Sequence, residues 1–162
     1  MHKGLIIPFV AGLGVIAIVV AGVLYMQRGA HLAPTGAILK VRTQPLDESS
    51  SVAIIDFRIE NASDYGLIVR QVSVTMESKD GKIYEGSVAS AVDTKNLFQY
   101  YPLLGQQYND TLVIRDKIPP HQKIDRMIAA RFGFPEKQLE DRKKLTVSVE
   151  DVDGATAVIT GK

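Results

Sequence analysis

Hydrophobic residues follow two rhythms along this chain. From Leu5 to Met26 they run on with small residues for 22 positions and no charged side chain interrupts them. From Ala37 onward they alternate with polar residues, one for one, between clusters of turn formers. The first rhythm predicts a helix. At ~1.5 Å per residue it spans roughly 33 Å, against a hydrocarbon core of about 30 Å. In lipid every backbone group must be satisfied within the segment, which a helix achieves. Pro8 falls near the first turn, where a missing N–H matters least, and Tyr25 falls where an aromatic would meet the far interface.

A cleaved signal peptide has a shorter apolar core and a small-x-small cleavage site. The run here is longer, and "YMQRGAHLA" after it makes a poor cleavage site, so an uncleaved signal anchor over 5–26 is the expectation. Residues 1–4 form a short tail. Ala17 and Ala21 have the spacing that lets membrane helices approach closely, although small residues are common in such helices in any case. Lys3 precedes the run and Arg28, Lys40 and Arg42 follow it, so flanking charge hardly sets orientation. The default for a short-tailed N-terminal anchor puts the rest of the chain on the outer, periplasmic side of an inner (cytoplasmic) membrane. "QRGAHLAPTG", 27–36, has two glycines, a proline and no apolar period, and reads as a tether to a domain over 37–162.

The second rhythm predicts strands. In "IIDFRIEN", Ile55, Phe57 and Ile59 share one face and Asp56, Arg58 and Glu60 the other, as in a half-buried antiparallel strand. "NASDYG" is a turn cluster. "VRQVSVTMES" alternates again, Asp80-Gly81 suits a tight hairpin, and "KIYEGSVAS" returns. "TLVIRDKI" reads as a further strand, ended by Pro119-Pro120. In "KIDRMIAARFGF", Ile128, Ala130, Phe132 and Phe134 share a face. Leu145, Val147 and Val149 alternate before Asp153-Gly154 turns the chain into "ATAVIT". With "AILKVRTQ" the total is about eight strands. Two short helices interrupt them. "DTKNLFQYY" has Asp93 as its expected N-cap and Pro102 as its end. "PEKQLEDRKK" opens on Pro135, with Arg142 and Lys143 near its close. Short strands with regular turn punctuation predict an all-β, immunoglobulin-like sandwich of seven or eight antiparallel strands behind one transmembrane helix.

"VAIIDFRIENASDYGLIVRQVSVTM" resembles a strand–Asn–turn–strand unit of late-embryogenesis-abundant type 2 (water-stress) domains. It is also similar to bacterial membrane-anchored immunoglobulin-like domains of unknown function. "KIPPHQKIDRMIAARFGFP" resembles their proline turn, strand and closing Phe-x-Pro. The resemblance implies a sandwich on a membrane tether and carries over no catalytic residues. "NLFQYYPLLG" departs from the simple family pattern.

Composition narrows the chemistry. Lys3 and Arg28 are the only charges in 1–35, which leaves 17 basic and 18 acidic residues in the other 127. No basic excess marks a nucleic-acid partner, and with no cysteine there is neither disulfide framework nor thiolate metal site. His2, His31 and His121 stand apart, without ligand spacing. Glu150, Asp151 and Asp153 beside Gly154 lack a full calcium loop and read as a hairpin turn. No nucleophile or phosphate-loop motif is present, so neither an enzyme nor a cofactor is expected. Asn61 and Asn109 match the glycosylation tripeptide, but Asn61 serves equally as a turn residue. Arg126 shares the inward parity of Ile124 and Ile128. Either the strand begins exposed there, or Asp56, Asp116 or Asp93 pairs with it.

The remaining feature is "NLFQYYPLLGQQY", 96–108. Leu97, Tyr101 and Leu104 fall at helical spacing with Phe98 beside them, a face that could cap the sandwich. Tyr100 points elsewhere and Tyr108 lies on the loop. The competing reading makes Phe98, Tyr100, Tyr101 and Tyr108 a candidate partner surface. The expected role is non-enzymatic: a single-pass membrane protein that holds a binding or assembly domain toward other membrane or envelope proteins, with membrane lipid contacted through 5–26. The alternative is a tethered module for a lipid or small apolar ligand, with the aromatic helix as lid.

Overall fold

The computed structural model describes residues 3–26 and 34–162, and the side chains of 12–23 and 34–162. The chain divides into two units, Met1–Leu32 and Ala33–Lys162. In the first, α1 runs over Lys3–Met26. Its residues 12–23 are all exposed, among them Leu13, Ile16, Ile18 and Val19. Among the described residues no helix is long and apolar enough to cross a membrane. The part of α1 whose side chains are described is only 12–23, shorter than the span predicted over 5–26.

The second unit is built from eight antiparallel strands: β1 (Thr35–Asp47), β2 (Ser50–Glu60), β3 (Leu67–Glu77), β4 (Ile83–Val88), β5 (Lys117–Ile118), β6 (Lys123–Phe132), β7 (Lys144–Asp151) and β8 (Thr156–Gly161). Their order is β1-β2-β6-β4-β3-β7-β8, with β5 on β3. β4 joins two layers. Residues 83–86 pair with β3 (Val74↔Gly86), and the last two, Ser87 and Val88, pair with β6 (Ser87↔Arg131). Gly86 sits at this crossover, and a Cβ there would lie 2.7 Å from Phe132 Cζ. At the far edges β1 and β8 approach each other through Ile38 and Gly161. The sheet is thereby curled into a β-sandwich.

The main core fills the space between the layers. Ala53, Ile55, Phe57 and Ile59 of β2 face Val74 and Met76 of β3, Leu145, Val147 and Val149 of β7, and Ala157 and Ile159 of β8. Ile55, Phe57, Ile59, Leu145, Val147 and Val149 fall on the faces that the period-two pattern predicts. Phe134 closes one end, 5.2 Å from the rings of both Phe132 and Tyr84. The Asp80-Gly81 hairpin forms, with Ser78 N–H donating to Lys82 O at 2.9 Å. So does the Asp153-Gly154 hairpin, with Gly154 N–H donating to Asp151 O at 3.0 Å.

Other expectations change. "TLVIRDKI" is not a continuous strand. Only Lys117–Ile118 pairs with β3, and Thr111 makes an isolated bridge to Met127. Arg115 adopts the left-handed conformation (φ 72°), so this segment crosses from β6 to β3 instead of running along either. The aromatic helix, α2, begins earlier than expected, at Ala91–Tyr100. Its N-cap is Ser90, not Asp93: Ser90 Oγ accepts from Asp93 N–H at 3.1 Å and donates to the Asp93 carboxylate at 2.7 Å. The last helix, α3 (Glu136–Glu140), stops short of Arg142 and Lys143. There Lys143 N–H donates to Glu77 O at 2.8 Å and draws the chain into the sheet. Arg126 is half-buried, and of the three proposed acids the one beside it is Asp116, 3.6 Å from its Nε.

Candidate functional site

β2 is buried along almost its whole length, which a strand with one wet face cannot be. The residues of opposite parity to the main core, Val52, Ile54 and Asp56, lie under a second layer. Val52 and Ile54 join Met127 and Ala129 of β6 in a separate apolar cluster, closed from above by Leu104 and flanked by Leu97, Phe98 and Tyr101. Alternation places both sets from one strand, because successive side chains point to opposite faces. The predicted face of α2 is therefore the one turned down. Pro102 ends α2, and a single 3-10 turn over Pro102–Leu104 drops Leu104 into the cluster.

A polar clamp holds the segment that follows. Arg42, on β1, donates from Nη1 to Leu104 O at 2.7 Å and to Gln106 O at 2.8 Å. Its Nη2 donates to Asp56 Oδ2 at 2.8 Å. The other oxygen of Asp56 accepts from Asn109 Nδ2 at 2.8 Å. The Arg42 guanidinium lies 5.2 Å from the Phe98 ring centre and 5.1 Å from that of Tyr108, and Lys40 Nζ lies 5.1 Å from Tyr108. The Arg42 and Asp56 side chains are 11% and 4% exposed, so this pair is desolvated. Its mutual attraction is offset by the cost of taking both charges out of water, and removing either partner alone leaves an uncompensated buried charge.

The four aromatics named from sequence are thus sorted. Phe98 and Tyr101 are half-buried and pack downward. Tyr100 and Tyr108 stay 78% and 62% exposed, with Leu103 between them at 90%. From sequence, Arg42 counts only as a charge flanking the apolar run, and Asp56 falls on the polar face of its strand with Arg126 as its one suggested partner; the structure buries Arg42 and Asp56 together. The available signal was Val52 and Ile54, apolar at the same parity as Asp56, which implied a cover over that end of the strand.

Two clefts flank α2. One of about 490 Å³ is lined by Gln71, Val72, Val88, Ala91, Leu112 and Ile114, with neighbours of the same segments. The other, about 270 Å³, lies by Leu46, Val52, Leu97, Tyr100 and Arg131. Neither glycosylation tripeptide presents a free amide. Asn61 is 1% exposed, and its Nδ2 donates to Tyr65 O at 2.7 Å and Ile118 O at 3.1 Å. The amide of Asn109 is engaged by Asp56. Asp151 accepts from the N–H groups of Ile68 and Val152, both at 2.8 Å, which is a turn function. His121 Nε2 lies 2.9 Å from Asp64, while His2 and His31 fall outside the described residues. Among the described residues no three His, Cys, Asp or Glu side chains gather as a metal site would require.

No protein-family model matches the chain, and no curated protein matches it. Among solved structures it is similar in fold to a β-glucuronidase from glycoside hydrolase family 2, at 11% identity and a TM-score of 0.44, over 77% of this chain but only 12% of that one. An uncharacterised β-sandwich protein from Clostridium difficile matches over 83% of this chain and 91% of its own, at 12% identity and a TM-score of 0.41. The archaellum periplasmic stator complex of FlaF and FlaG from Sulfolobus acidocaldarius matches over 83% and 95%, at 11% identity and a TM-score of 0.37. At these identities and scores none of them bears on what this chain does. The class defined by fold and site is an antiparallel β-sandwich with an aromatic segment clamped onto the outside of one layer.

Proposed function

We propose that this chain is a non-enzymatic, single-pass membrane protein whose sandwich binds or helps assemble other membrane or envelope proteins through Tyr100, Leu103 and Tyr108. Residues 5–26 anchor it in an inner membrane, with the sandwich on the outer side, in the manner of the membrane-anchored immunoglobulin-like domains that the sequence resembles. The observation that supports this reading is the clamp. Arg42 fixes the backbone at Leu104 and Gln106, so the exposed side chains on either side are displayed from an ordered segment. Ordering them beforehand lowers the entropy cost of association, and aromatic side chains are enriched at the centres of interfaces. Tethering raises the effective concentration toward other membrane proteins, so modest contacts suffice.

A second reading is a tethered module for a lipid or small apolar ligand. The cleft of about 490 Å³ beside α2 favours it, since its volume and apolar walls fall in the range of ligand sites. Gentle detergent solubilisation and co-purification through a tag after Lys162 separate the two. The assembly reading expects a reproducible membrane partner with the wild type, lost with Tyr100→Ala combined with Tyr108→Ala. If the tyrosine variant keeps the same partners, this surface is not the interface. A lone chain carrying lipid in native mass spectrometry supports the ligand module instead.

A further inference from the structure

The cleft at the N-terminal end of α2 exposes a short open stretch of β3. β4 covers β3 from Val74 to Glu77 and then departs to β6. The crossing segment covers it again at Leu67–Val69, where Val69 donates to Asp116 O at 2.9 Å and accepts from Arg115 N–H at 2.7 Å. Between these coverings the direction of each backbone group follows from alternation. Glu77 O accepts from Lys143 and so points toward β7, while Ser78 N–H donates to Lys82 O and points toward β4. Counting back by twos from Ser78, the backbone groups of Met76, Val74 and Val72 all turn to the β4 side. The register shift against β7 between Val69 and Gln71 brings Val69 to that same side. Val72 thus aims one N–H and one C=O into the cleft, beyond the end of the β4 pairing at Val74↔Gly86 and before the β5 pairing at Leu67 and Ile68.

We propose that this cleft receives one extended, uncharged peptide segment of a partner protein, which adds to β3 at Val72. The inference rests on the reading of this domain as a binding module, but uses the end of α2 opposite Tyr100. An acyl chain would leave both Val72 groups without partners in an apolar setting, which is costly. A residue of an extended peptide supplies a donor and an acceptor at the required spacing, as in strand addition to an exposed sheet edge. The partner's flanking side chains meet Val88 and Ala91 on one side and Val113 and Ile114 on the other. No charged side chain lines the cleft, so a charged segment would lose its water there without gaining a counter-ion.

The test is hydrogen exchange, read by mass spectrometry, on the full chain in detergent micelles. The probe is a capped pentapeptide alternating threonine and valine. At about 1 mM, the weak end of recognition, binding should slow exchange at Val72 by about twofold or more. The same peptide N-methylated at its central residue should not slow it, and Ile114→Asp, a change at an exposed position, should abolish the effect. No slowing with the unmethylated peptide overturns the proposal. Equal slowing by the N-methylated peptide or by oleate also overturns it, and makes the cleft an apolar ligand site. Combining Tyr100→Ala with Tyr108→Ala should leave the slowing unchanged. A failure of the peptide is therefore distinguishable from a failure of the tyrosine surface.

Discussion

β2 is covered on both faces, and the two coverings differ in kind. Ala53, Ile55, Phe57 and Ile59 meet the opposite layer across an apolar core to which most of the strands contribute. Val52, Ile54 and Asp56 meet a single helix and the loop after it, where a handful of apolar contacts is supplemented by one buried ion pair and its hydrogen bonds. The inner face depends on volume and polarity alone, and many residue combinations satisfy it. The outer face depends on particular partners. Arg42 must reach Leu104 O, Gln106 O and Asp56 together, which takes the several donors of a planar guanidinium. A surface attached in this way can be altered without rebuilding the sandwich.

Deleting a large side chain from each face tests that contrast. Phe57→Ala should cost about 3–5 kcal/mol, from lost burial plus the cavity left behind. Asp56→Ala should cost about 3 kcal/mol, because Arg42 stays buried without its counter-ion. The two costs are similar, but their causes differ. Urea unfolding followed by tyrosine fluorescence measures both, since the chain has six tyrosines and no tryptophan. Replacing the pair together, Arg42→Met with Asp56→Leu, separates the causes. It should restore most of the loss from Asp56→Ala, whereas no second change on the inner face refills the Phe57 cavity so simply. The double variant should nonetheless free residues 104–109, seen as faster hydrogen exchange there. If the double variant is as unstable as Asp56→Ala, the clamp is not an ion pair that apolar residues can replace.

The same contrast explains what the sequence disclosed. The inner face was legible because alternation in β2, β3, β6 and β7 is a direct record of burial between two layers. The hairpins were legible because Asp-Gly turns have a specific chemistry. The outer face was half legible. The spacing of Leu97, Phe98, Tyr101 and Leu104 marked a buried side of α2, and Tyr100 and Tyr108 fell outside it. What the spacing could not show is where that side docks. Arg42 and Asp56 lie 14 residues apart, and Arg42 and Leu104 lie 62 apart. Contacts over such separations leave no period in the chain. "TLVIRDKI" misled for a different reason: Leu112, Val113 and Ile114 form a short apolar run that suits a strand, but Arg115 turns the backbone out of the strand conformation.

Smaller effects sharpen the outer face. Tyr108→Ala removes contacts to two cations and should cost about 0.5–1 kcal/mol. Tyr100→Ala removes a side chain that is 78% exposed and should fall within about 0.5 kcal/mol of wild type. The two tyrosines would then differ in stability while acting together in partner capture. Equal costs in the same urea measurement would mean that Tyr108 is no more fixed than Tyr100.

The smallest expected effect concerns neither face but the turn that joins β1 to β2. Hydrogen bonds from the Ser50 hydroxyl, then from the Ser49 N–H and hydroxyl, hold the Asp47 carboxyl down from its ordinary 3.8 to about 2. A carboxyl whose folded value is depressed contributes stability above its unfolded value. That contribution is lost as pH falls from about 4 toward 2. Asp47 is exposed, so solvent screening keeps the effect modest. Asp47→Asn should therefore lower stability slightly at pH 6 and leave it nearly unchanged at pH 2, so the two unfolding curves converge on acidification. If the two curves stay the same distance apart at pH 2 as at pH 6, the ionised carboxylate of Asp47 is not what supports the turn.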